Sequence, residues 1–171
     1  MRDGVWTIDS RETKSRRTER AFTLIELVVT VAIVTILAMI AIPQYEQFVL
    51  RSNRTAIQSY MEELRGQQEA YALQHRGSYA TSLQPLTGFS GDIFIDTGGN
   101  ETGSQTGASK FRVRMTNATT TGFLLEGVPL GRQNDDTDCQ SYYLASDGRA
   151  WANSSDFSTA LAAEDKGCWG R

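Results

Sequence analysis

The sequence predicts an α+β fold in which one long amino-terminal helix is laid across a small antiparallel β-sheet. Three observations predict it. Residues 22–43, FTLIELVVTVAIVTILAMIAIP, form an apolar run. A stripe at helical spacing continues beyond it as far as His75. After residue 109, short stretches alternate apolar and polar side chains and are separated by tight-turn residues.

The apolar run is membrane-length. At about 1.5 Å per residue it makes a helix roughly 33 Å long, against a hydrocarbon core of about 30 Å. Glu26 is its one charged residue between Ala21 and Tyr45. A lone carboxylate in such a setting is costly and needs a partner. One reading puts Glu26 at headgroup level, favoured by the positive end of the helix dipole.

The segment before the run, residues 1–21, is polar and carries six Lys/Arg against four Asp/Glu. Its basic end, with Arg16, Arg17 and Arg20, belongs on the cytoplasmic side. An ordinary secretory signal has its apolar region ahead of the cleavage point; here the apolar region follows. A plain single-pass protein with an unprocessed tail would share this composition.

Pro43 removes a backbone donor and crowds the preceding turn, so either a kink or the end of the helix is expected there. The residues that follow favour a kink. Ile57, Met61, Leu64, Gln68, Tyr71 and His75 fall at helical spacing with Tyr60 beside them, although Gln68 weakens the stripe. Arg51, Arg54, Glu62, Glu63, Arg65 and Glu69 are available for the wet faces, and Gly77 is a stop. The expected helix runs from Phe22 to about Arg76, kinked at Pro43. His75 is the only histidine; with no Cys or second His near it, a helix-end or packing role is expected rather than a ligand role.

Residues 77–109 are rich in Gly and turn formers and read as loop, with DIFID at 92–96 as a short strand or packing segment. Gly98-Gly99 lacks the pattern of a phosphate loop. KFRVRMT at 110–116 alternates strictly, placing Phe111, Val113 and Met115 on one face. TGFLLEGVPL is a second apolar run. SYYLASDGRAWA gives a third strand, a turn at Asp147-Gly148 and a return strand. Three or four short strands with tight turns imply an antiparallel sheet.

Charge and residue content exclude several classes. The chain of 171 residues has a net charge of −3; the first 21 residues hold +2, which leaves −5 on the rest. Phosphate binding needs a concentrated basic face, so no nucleic-acid partner is expected. Cys139 and Cys168 are the two cysteines. An even pair beyond a membrane-length segment suggests an oxidising compartment and one disulfide, with two free thiols as the alternative. Asn134–Asp138, NDDTD, offers Asp135, Asp136 and Asp138 as weak calcium candidates. A solvated acidic turn is the preferred reading, so no metal site is assigned. Asn-x-Ser/Thr triplets at Asn53, Asn100, Asn117 and Asn153 are common by chance and are assigned no glycan. One histidine and an acidic turn are poor material for catalysis, so neither catalytic residues nor a cofactor are expected.

The stretch RAFTLIELVVTVAIVTILAMIAIPQY resembles the amino-terminal signature of type IV pilins and of the related type II secretion pseudopilins. IPQYEQFVLRSNRTA and the ending GCWGR are similar to minor pilins of the PilE type. The resemblance implies a prepilin with a class III signal peptide, cut between Ala21 and Phe22. The family usually has Gly where this chain has Ala21, which bears on cleavage rate. It implies methylation of the new Phe22 amine by the prepilin peptidase. It gives Glu26 a sharper role, pairing with the Phe22 amine of a neighbouring subunit during assembly. It also implies the pilin fold: a long kinked helix on an antiparallel sheet with a carboxy-terminal disulfide loop. The expected divisions are a leader at 1–21, an apolar helix half at 22–48 and a globular domain at 49–171. The function so implied is that of a pilus subunit, a minor pilin, acting in pilus biogenesis, twitching motility or adhesion. Its partners would be other pilins, the prepilin peptidase, the inner membrane and the assembly machinery. It would be an inner-membrane protein with a periplasmic domain, then part of an extracellular pilus. A major pilin, a pseudopilin, a membrane-anchored enzyme and a membrane-anchored binding module are the alternatives.

Overall fold

The computed structural model describes residues 22–153 and 167–169, and the proposed leader, with Ala21, lies outside them. The chain divides into two units at Ala41/Ile42.

The first unit is helical from Leu24 onward, as the start of helix α1 (Leu24–Gln74). Its large apolar side chains, among them Leu24, Val28, Ile33, Leu37 and Ile40, are all exposed. This helix is long and apolar enough to cross a membrane. The two hydroxyls of the apolar stretch that lie within the helix are spent internally: Thr30 donates to the Leu27 carbonyl and Thr35 to the Val31 carbonyl, both at 2.8 Å. A hydroxyl so satisfied is far less costly in an apolar surrounding.

Pro43 lies inside α1, and the helix continues through it rather than ending there. Within the second unit the helix buries the stripe Asn53, Ile57, Tyr60, Met61, Leu64, Gln68 and Ala72. That is the i, i+3, i+4, i+7 pattern of a helix covering a core. Gln68, which weakened the stripe in sequence, is fully buried and fully used. Its amide accepts from the Ala80 N–H and donates to the Ala80 carbonyl, each at 2.9 Å. The side chain thus pairs like a strand neighbour with the segment just after the helix, so burial of the amide leaves no polar group orphaned. A left-handed Gly77 follows the helix, as the stop signal predicts.

The sheet has six antiparallel strands in the order β2-β1-β3-β4-β5-β6. They are β1 (Ile93–Ile95), β2 (Glu101–Thr102), β3 (Phe111–Thr119), β4 (Gly122–Pro129), β5 (Tyr142–Ala145) and β6 (Ala150–Ala152). The alternation read in 110–116 is real: Phe111 and Val113 are fully buried and Arg112 and Arg114 are not. β4 alternates over its whole length, burying Phe123, Leu125, Gly127 and Pro129. Two features were not legible. β2 is only two residues long, and a four-residue helix α2 (Gln84–Thr87) lies in the region read as loop.

Gly127 marks the close approach of sheet to helix. A Cβ there would stand 2.9 Å from Ile57 Cδ1 and 3.2 Å from Met61 Sδ, and both neighbours are fully buried. Gly127→Val therefore has no room for its methyl groups. It is expected to destabilise the fold by about 1–3 kcal/mol, the usual range for overpacking. Thermal unfolding of the full chain in detergent micelles checks this.

Candidate functional site

The helix start comes first. Leu24 is the first helical residue, and Thr23 caps it: the Thr23 hydroxyl accepts from the Glu26 N–H at 3.2 Å. The Thr-x-x-Glu spacing is that of a capping box, a signal carried by the sequence itself. Glu26 stands in the first helical turn, where the dipole favours a carboxylate. Phe22 is 80% exposed, one residue ahead of the cap. Phe22 and Glu26 therefore stand four residues apart, on either side of the cap.

The second region is the disulfide. Cys139 and Cys168 are joined, with their Cα atoms 5.6 Å apart, and both are fully buried. Ahead of Cys139 a 3-10 turn (Gly131–Asp135) leads into Asp136. The acidic turn read as solvated is not solvated at its centre. Asp136 is only 3% exposed. Its carboxylate accepts from Arg54 Nε and Nη2, both at 2.6 Å. It also accepts from the backbone N–H groups of Asp138 and Cys139 at 3.3 and 3.2 Å, and from the Gln133 amide at 3.3 Å. Hydrogen bonding to Asp136 raises the Arg54 guanidinium above its ordinary range, with burial opposing. These donors occupy the lone pairs that a cation would need, so Asp136 is a structural anion and not a calcium ligand. Asp135 and Asp138 are exposed beside it. Among the described residues no group of three His, Cys, Asp or Glu side chains could hold a metal ion. Next to this pair, buried Asn53 donates to buried Gln133 at 2.8 Å. Asn53 is thus a core residue of this network.

His75 is exposed at the end of α1, stacked on Tyr71 at 3.7 Å with Nδ1 2.8 Å from the Tyr71 carbonyl. It takes the helix-end role read for it. The polar side of β3 carries ion pairs, Arg114 with Glu126 of β4 at 2.6 Å and Arg112 with Asp92, just ahead of β1, at 3.6 Å. Burial raises the Tyr60 hydroxyl above its ordinary range, helped by its hydrogen bond to Glu101.

A family model described as "Type IV minor pilin ComP, DNA uptake sequence receptor" matches residues 43–143. The chain belongs to that family of type IV minor pilins. A second model, "Prokaryotic N-terminal methylation motif", matches residues 16–42, a span that includes Phe22 and Glu26. The chain is 33% identical over 100 residues to a fimbrial protein of Pseudomonas aeruginosa, covering 58% of this chain and 61% of that protein. It is 47% identical over 47 residues to the type IV major fimbrial protein FimA of Dichelobacter nodosus, covering 28% of this chain and 30% of that one. The chain thus spans about three-fifths of the length of the first of these curated relatives. The pilin fold expected from the resemblance is the fold present: a long amino-terminal helix, an antiparallel sheet and the Cys139–Cys168 bond.

Proposed function

We propose that this minor pilin is a structural subunit of a type IV pilus and has no enzymatic role. The observation that carries the reading is the adjacency of the two family matches. The methylation motif ends at residue 42 and the minor-pilin model begins at residue 43, so that together they run along α1 into the sheet. In this reading the subunit waits in the bacterial inner membrane on residues 22–48, its domain periplasmic. It is then drawn into an extracellular filament serving pilus biogenesis, twitching motility or adhesion. The exposed apolar side chains of residues 24–42 fit either surrounding, lipid or neighbouring helices.

The prepilin peptidase would cut between Ala21 and Phe22 and methylate the new amine, which keeps its charge. Glu26 would pair with that amine on a neighbour. Amino-terminal sequencing of membrane-extracted protein is expected to begin at Phe22. Ala21→Gly is expected to be processed at least as fast, since it restores the residue usual in the family. Filaments carrying the intact 1–21 segment would contradict the reading.

The family description favours a second role, as a receptor for DNA. The charge count argued against it, since −5 on residues 22–171 leaves no concentrated basic face. Arg54, Arg65, Arg112, Arg114, Arg132 and Arg149 are each held by a carboxylate. Arg51 and Arg76 are exposed with no ion pair among the described residues. Phosphate contacts would have to come from such residues or by trading away existing pairs. Titration of labelled duplex DNA with the purified protein at two salt concentrations decides this. Salt-sensitive binding supports the role, because each neutralised phosphate steepens the salt slope, and absence of binding at low salt removes it.

A further inference from the structure

Arg54 and Gln58 lie four residues apart on α1, and side chains at that spacing are neighbours on one helix face. Each holds a different half of the disulfide. Arg54 grips the Asp136 carboxylate through two hydrogen bonds at 2.6 Å. The same carboxylate takes the N–H of Cys139 at 3.2 Å and that of Asp138 at 3.3 Å. The backbone entering Cys139 is thereby fixed to the helix. Gln58, one turn further on, donates its amide to the carbonyl of Cys168. The Cys168 side has a second tie, the Trp169 indole N–H donating to the Trp151 carbonyl at 2.7 Å on β6. Trp169 itself packs edge-on against buried Tyr142.

We propose that Arg54 and Gln58 form a template that seats Cys139 and Cys168 side by side before they are oxidised. Bond formation then follows docking of α1 onto the sheet. This inference stands apart from the filament reading and concerns how the domain is completed. The chemistry is thiol–disulfide exchange with an external disulfide oxidant. One protein thiolate, its proton lost to solvent, attacks the oxidant's disulfide and expels one donor thiolate. The second protein thiolate attacks the sulfur of the mixed disulfide and expels the other donor thiolate. The protein loses two hydrogens, and the oxidant takes up two electrons as two thiols. The helix contributes orientation alone: it turns the second step into a reaction between groups already held together.

The test equilibrates the full chain in detergent micelles, under native conditions, with a series of reduced and oxidised glutathione mixtures. The ratio of disulfide to dithiol is read by alkylation and intact mass. Gln58→Ala is expected to lower that ratio about tenfold, the worth of one hydrogen bond to a seated carbonyl. Asp136→Asn is expected to lower it by at least as much, because it loosens the Cys139 side. Leu83→Ala, a core substitution whose side chain is 4% exposed, is expected to leave it unchanged. A second readout compares melting temperatures with and without the cysteines. By linkage, Gln58→Ala and Asp136→Asn are expected to cost more in the oxidised chain than in a Cys139→Ala/Cys168→Ala chain. Unchanged ratios for both variants would overturn the proposal. So would equal melting shifts in the two backgrounds, or a Leu83→Ala effect as large as theirs.

Discussion

Glu26→Ala is expected to leave a stable membrane protein that is depleted from pili by about a hundredfold or more. The substitution makes the first helical turn more apolar, so insertion does not suffer. The Thr23 cap also survives, since it takes the backbone N–H of residue 26 and not its side chain. What is lost is the partner of the Phe22 amine in an apolar filament interior. Removing one member of a buried charge pair costs about 3–5 kcal/mol. At about 1.4 kcal/mol per factor of ten, that gives the hundredfold figure. The measurement is the ratio of this subunit in sheared pili to that in membranes, variant against parent. If Glu26 served only the helix dipole, the ratio would fall by less than about tenfold, since that interaction is worth about 0.3–1 kcal/mol.

Arg54→Ala is expected to lower domain stability by about 3–5 kcal/mol, again because a buried carboxylate is left without its cation. Asp136 is 3% exposed, and the Arg54 side chain 14%. The neighbouring Asn53–Gln133 bond and the backbone of the disulfide loop depend on the same anchor. A fall of about 10 °C in melting temperature follows for a domain of this size. Arg132→Ala serves as the comparison. Its pair with Glu46 is as short, 2.7 Å, but Arg132 is 80% exposed, so a shift of no more than a few degrees is expected.

The two substitutions differ in how much of their basis could be read from the sequence. The helix, its buried stripe and the alternating strands were legible because periodicity is a local property: Ile57, Met61 and Leu64 on α1, and Phe111 and Val113 on β3, declare their faces. The role of Asp136 was not legible. Three carboxylates in five residues read as a wet turn, and Arg54, 82 residues earlier, read as one of many surface arginines. Only the return of the chain to α1 pairs them. Gln68 was discounted for the same reason, since its partner is backbone, the Ala80 N–H and carbonyl, and backbone carries no sequence signature. β2 was missed because a two-residue strand has no period to detect. The Thr23 cap, by contrast, was readable from its Thr-x-x-Glu spacing.

In the filament this minor pilin is expected to be a processed, disulfide-bonded chain beginning at Phe22. Intact mass of the protein recovered from sheared pili tests it most directly. The predicted mass is that of residues 22–171 with one added methyl group and two hydrogens fewer, for the Cys139–Cys168 bond. A species retaining residues 1–21, or absence of the protein from the pili while it accumulates in the membrane, would rule out this form of the subunit.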